Sequence, residues 1–188
     1  MRLVYEAEQR FWLHIPTGFP TSRFAGIAEW EADVTERYTE SKPDAAPEEV
    51  RTVLGLARDA QRALSSTALF GLQFAPMPAP MAVTFEVEVG PPLSDPDAQL
   101  ETLVGAVPLA LPPVVDAVSA PKLGEGVIAR FIAAGDDRNP RAGIGAFVAG
   151  ETVGVRILSR ATTTTLVGLV DARLRDLVES FRIEVDAD

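Results

Sequence analysis

Val83-Thr-Phe-Glu-Val-Glu-Val89 places apolar residues at odd positions and polar ones at even positions, and this alternation decides the fold. A period of two marks a strand with one packed face and one wet face, the pattern of an antiparallel sheet. Gly90-Pro91-Pro92 ends it. Upstream, Ala68–Ala75 reads as a mostly buried strand, separated from the alternating one by Met77-Pro-Ala-Pro80. Downstream, Asp95 followed by Pro96 opens a short helix toward Val104, because an aspartate caps the first free amides and proline lacks the donor that would go unused. Pro108, Pro112 and Pro113 predict irregular chain after that helix.

The second half holds three more strand candidates. Gly126–Ala134 runs into the turn cluster Gly135-Asp-Asp-Arg-Asn-Pro140, and Gly143–Ala149 and Val153–Ser159 join through Gly150-Glu151 as a hairpin. Leu166, Val170, Leu174, Leu177 and Phe181 then recur at helical spacing, with Thr162–Thr165 as a strand end and helix approach.

In the first third, Phe11-Trp-Leu-His-Ile15 is a short strand that stops at Pro16-Thr-Gly-Phe-Pro20. Ile27, Trp30, Val34 and Tyr38 suit an amphipathic helix. Trp30, Ala32 and Val34 also alternate at period two, so Ala28–Thr39 stays open between helix and strand. Pro47-Glu-Glu49 starts a second helix, carried by Val50, Val53, Leu54, Ala57, Ala60 and Leu64. The expectation is an α+β fold: one domain over residues 1–188, an α/β/α sandwich with a mainly antiparallel sheet of about six strands and a C-terminal amphipathic helix.

Composition narrows function by exclusion. The chain of 188 residues has no cysteine and one histidine, so thiol nucleophiles, disulfides and thiolate metal sites are impossible. A triad would need His14, which lies beside Trp12 on the strand face opposite Phe11, Leu13 and Ile15 and reads as a structural or partly exposed histidine. No Gly-x-Ser-x-Gly elbow, P-loop or dinucleotide fingerprint occurs. Asp95, Asp97 and Glu101 fail the calcium-loop spacing and fit a helix start better. Glu86 and Glu88 share a wet strand face and read as solvated. No catalytic residue, cofactor or metal ligand is expected.

Net charge is −10, and no basic residue lies between Arg62 and Lys122. A surface drawn from that acidic stretch repels nucleic acid and anionic headgroups. Arginine outnumbers lysine fifteen to two, as expected of a GC-rich bacterial genome. Acidic residues at Glu6 and Glu8 argue against a secretory leader. Prolines 76, 78 and 80 break the uncharged run Ala63–Phe85, so membrane insertion is not expected. The expected compartment is the cytoplasm.

The order of elements resembles a known superfamily. An opening strand that enters Ile15-Pro-Thr-Gly-Phe19, then helices, a strand meander and a terminal helix ending in Ser180-Phe181-Arg182 looks like the α/β/α sandwich of PsbP-like photosystem proteins and a Ran-binding nuclear import factor. It is also similar to uncharacterised actinobacterial proteins of that pattern. Two helices between the first two strands depart from the simplest members. The resemblance implies a binding protein, an adaptor or assembly chaperone, with no shared catalytic motif; no ligand positions match for the photosystem members' metal roles.

The expected function is therefore a non-enzymatic cytoplasmic protein-binding adaptor or chaperone, with a small apolar-ligand carrier as the alternative and a carboxylate-and-arginine enzyme as a third reading. Phe74, Met77, Pro78, Pro80 and Met81 are the candidate partner-binding residues, against the plainer reading that they close the end of the core. A homodimer through an edge strand or helix face is the other expected association.

Overall fold

The computed structural model describes residues 1–74, 81–135 and 141–184. Its elements run β1 (Arg2–Val4), β2 (Trp12–Ile15), α1 (Ile27–Ser41), α2 (Pro47–Ala63), β3 (Phe70–Phe74), β4 (Val83–Gly90), α3 (Pro96–Val104), β5 (Val114–Ala120), β6 (Gly124–Ala133), β7 (Arg141–Ala149), β8 (Gly154–Ser159), α4 (Thr164–Glu179) and β9 (Arg182–Glu184). The fold is α+β, and its larger sheet has seven strands in the order β2-β3-β4-β8-β7-β6-β5. Every described pairing in register, from β2–β3 through β5–β6, β6–β7 and β7–β8 to the separate β1–β9 ribbon, is antiparallel.

By its contacts the chain divides into two compact units, Glu8–Glu86 and the larger Met1–Ala7 with Val87–Asp188. In the smaller unit, α1 and α2 pack on one face of β2 and β3. Ala28–Thr39 is helix: Trp30, Val34 and Tyr38 are its buried stripe, and the apolar stripe at helical spacing outweighs the period-two coincidence. Trp30 is fully buried with Ile15, Ala57 and Ala60, and its Nε1–H donates to the His14 carbonyl at 3.2 Å. Glu49 steadies the start of α2 by accepting the Ala46 N–H at 3.1 Å and the Lys42 ammonium at 2.7 Å.

In the larger unit a helix covers each face of the sheet. Leu103 of α3 packs with Val127, Ala129 and Phe147, while Arg130, on the alternate face of β6, meets Asp171 of α4. The ends of both helices match their residues. Asp95 Oδ1 accepts the Asp97 N–H at 3.2 Å, and Thr163 Oγ1 accepts that of Leu166 at 3.3 Å.

One expectation needs correction, and one pairing had no sequence signal. Residues after Pro113 are not irregular: Val114–Ala120 forms β5, a full edge strand paired with β6 from Val114↔Arg130 to Ala120↔Gly124. Pro108, Pro112 and Pro113 precede it and Pro121 follows it, so none interrupts the ladder. The termini also pair, Leu3 against Ile183, over three residues too few to show a period. The turn cluster Asp136–Pro140 lies outside the described residues.

Candidate functional site

The five candidate partner-binding residues separate. Phe74 ends β3 at 3% exposure, its ring edge-on to Trp12 at 5.4 Å and stacked with Phe11 at 6.2 Å. That ring is core. Met81 is 40% exposed, and Met77, Pro78 and Pro80 lie outside the described residues.

His14 is exposed on the face of β2 that it shares with buried Trp12, with its ring 5.0 Å from that of Phe70. Crowding by neighbouring atoms lowers its pKa first, and the charge of Arg23 lowers it further. The shallow recess around it is lined by Pro16, Thr17, Phe19, Thr21 and Leu69, with no carboxylate among the described lining residues. The acids weighed in the sequence have structural partners: Asp95 caps α3, and Glu88 accepts Arg156 at 2.6 Å.

A trough of about 820 Å³ opens on the α3 side of the larger unit. Pro92, Ser94, Pro96 and Gln99 form one wall, Val115 and Ala117 of β5 the other, and Val127 and Ala149 the floor. Glu125 and Glu151 also line it, and among the described residues no basic one does. Gln99 is buried; its Nε2–H donates to the Leu93 carbonyl at 2.6 Å, which fixes the amide orientation and leaves Oε1 without a partner among the described residues. Beyond the trough runs β5, the last strand in the sheet order. Val114 and Leu111 are each 60% exposed.

Behind β5, on the α4 face, four charges close a ring. Asp116 accepts Arg130 at 2.8 Å and Arg175 at 2.7 Å, and Asp171 meets the same two arginines at 3.0 and 3.8 Å. The Arg130 guanidinium, aided by Arg175, holds the Asp116 carboxyl below the usual carboxylate range. This ring ties the edge strand to α4 and is balanced in charge.

The smaller unit has a narrower pocket, about 40 Å³, between α1 and the start of β2. Its apolar walls are Phe11, Leu13, Val34 and Val53; Arg10, Arg37 and Tyr38 also line it. Tyr38 is 2% exposed and its hydroxyl has no hydrogen-bond partner among the described residues.

Neither cavity was visible in the sequence. The trough joins residues 92–99, 115–117, 125–127 and 149–151, and the pocket joins 9–13, 34–41, 53 and 73. The one available signal for the trough was the absence of basic residues between Arg62 and Lys122.

No family model matches the chain, and no curated protein matches it. Among solved structures it is similar to the solution structure of cyanobacterial PsbP (CyanoP) from Synechocystis sp. PCC 6803, at 12% identity and a TM-score of 0.38, over 65% of this chain and 78% of that one. The likeness is weak. The α+β class rests on the helices and strands described above. Among the described residues, no helix is long and apolar enough to cross a membrane.

Proposed function

We propose that this chain is a non-enzymatic protein-binding protein, an adaptor or assembly chaperone, and that its client adds an extended segment along the edge of β5. The observation that carries the reading is an edge strand of seven residues with Val114 and Val115 exposed, beside an acidic trough. An open edge offers a row of backbone donors and acceptors to a second chain, and adjacent pockets read its alternate side chains. Arg175 Nη1 lies at the limit of bonding to the Ala117 carbonyl, 3.5 Å, a contact a docking strand displaces.

Charge selects the occupant. Glu125 and Glu151 favour a client with basic residues among apolar ones. A second copy is disfavoured because each carries a net charge of −10. The trough is open to solvent, which suits an extended chain better than an enclosed apolar ligand.

A seven-residue peptide alternating valine with lysine, added to the intact protein, should slow hydrogen exchange of the β5 amides that do not bond to β6. Val115→Asp should abolish the slowing. Equal slowing by a valine–glutamate peptide, or no slowing by either, removes the proposal.

A further inference from the structure

We propose that the pocket between α1 and β2 binds a carboxylate group, held by the Tyr38 hydroxyl and the Arg37 and Arg10 guanidinium groups. The site is independent of the β5 edge: every lining residue lies in the smaller unit.

Three observations converge. A buried phenol is nearly always paired, since leaving a donor without an acceptor forfeits its solvation. Tyr38 breaks that rule in a pocket it lines. Arg37, one residue away, is poorly neutralised. Its ionic contact is Asp33 at 3.9 Å, and Asp33 is already engaged by Arg23 at 2.5 Å. Arg10 lies over the Phe11 ring at 4.7 Å and pairs with Glu8 at 2.6 Å.

The unmet need is therefore for an acceptor carrying negative charge. Among the described residues no carboxylate lines the pocket, so a cation there would meet the Arg10 and Arg37 guanidinium groups, whose partners Glu8 and Asp33 are not part of its lining. A carboxylate presents two oxygens, enough for the phenol O–H and a guanidinium N–H together. A volume of about 40 Å³ admits a small head group and not a whole metabolite. The apolar walls accept the first carbons of its stem. The group has two sources, a free short monocarboxylic acid or the end of a peptide chain.

Both are tested on the intact protein by following ring resonances of Tyr38 and Phe11 during titration. Sodium acetate is the first probe; a tripeptide with a free C-terminal carboxylate, and its C-terminal amide, are the second. At least one carboxylate should give saturable shifts, and the amide none. Acetate alone points to a free acid, and the tripeptide alone to a chain terminus. Tyr38→Phe should weaken binding about tenfold, the usual worth of a hydrogen bond to a charged group. Because it deletes an unpaired hydroxyl, it should leave the unfolding midpoint unchanged or raised. Arg37→Gln should weaken binding similarly, with the unfolding midpoint measured alongside to confirm the fold. No saturable shift with either carboxylate, equal binding by the amide, or unchanged affinity in both variants overturns the proposal; the Tyr38 partner is then a trapped water.

Discussion

The trough of the larger unit and the pocket of the smaller one are each built from a helix lying over strands, yet they end with opposite chemistry. The trough is wide, carries Glu125 and Glu151, and is lined by no cation among the described residues; the pocket is narrow, aromatic, and carries Arg10 and Arg37. Side-chain size explains the shapes. Under α1 and α2 the smaller unit buries Trp30, Tyr38 and Val34, bulk that fills the layer and leaves only a small residue of space. The larger unit lays glycine and alanine along β7, Arg-Ala-Gly-Ile-Gly-Ala-Phe-Val-Ala over Arg141–Ala149, and α3, which packs on that sheet, is only nine residues long. Short cover over small side chains leaves an open flank. Sign follows from where arginine falls, so one net charge of −10 hides two local fields.

The strongest way to break the comparison is to remove the bulk. Trp30→Ala deletes a fully buried indole and the bond from its Nε1–H to the His14 carbonyl. It should cost about 3–5 kcal/mol, the range for a large aromatic truncated in a core. Chemical denaturation checks it, and a loss under about 1 kcal/mol would mean the layer re-closes around the gap.

The need for small residues on β7 is tested from the other side by Gly143→Ala. A Cβ there meets the Phe131 ring directly, so the ring must shift. The expected loss is about 1–3 kcal/mol, the usual cost of overpacking. Phe131→Leu in the same chain should recover part of it, since a smaller side chain yields the space. Additive losses in the double variant would show that the ring is not what the methyl meets.

Asp95→Ala sharpens the comparison at the trough wall. The carboxylate accepts the Asp97 N–H at the start of α3, and losing such a cap costs about 1 kcal/mol. The thermal midpoint should fall, and residues 92–99 should gain hydrogen exchange before β7 does.

How far the sequence could be read follows the same divide. Helices α2 and α4 and strands β4 and β8 were legible because each repeats its period over two or more cycles, and β7 as an uncharged run between glycines; α1 stayed open between helix and strand, and its buried stripe of Trp30, Val34 and Tyr38 decides for helix. Strand β5 was not: Pro108, Pro112 and Pro113 drew the reading to irregular chain, and Val114-Val-Asp-Ala-Val alternates poorly. Its place at the sheet edge is settled by pairing with β6, a contact between residues such as Val115 and Ala129 that no local pattern reports. The trough inherits that blindness. Tyr38 was legible as a buried helix position from its spacing to Val34, whereas its unpaired hydroxyl depends on what residues 9–13 place nearby.

The smallest expected effect separates the smaller unit's histidine from carboxylates found in both. Glu31, Asp116 and Glu184 are each held below the ordinary carboxylate range, chiefly by a bonded arginine. Their contribution is complete above about pH 4.5 and is lost as pH falls through their lowered folded values. His14 acts higher. Its folded pKa is depressed by desolvation and by Arg23, so near pH 6 the unfolded chain binds a proton that the folded one resists. Stability from this group is therefore full above about pH 6.5, falls as pH drops through that value, and levels off below the folded pKa. Urea midpoints should decline slightly from pH 7.5 to 5.5, and His14→Gln should flatten the decline while leaving the steeper loss below pH 4.5 in place. Arg23→Gln should reduce the upper slope without removing it, because desolvation is the larger cause. A midpoint that rises on acidification to pH 5.5 would mean His14 gains a negative neighbour on folding.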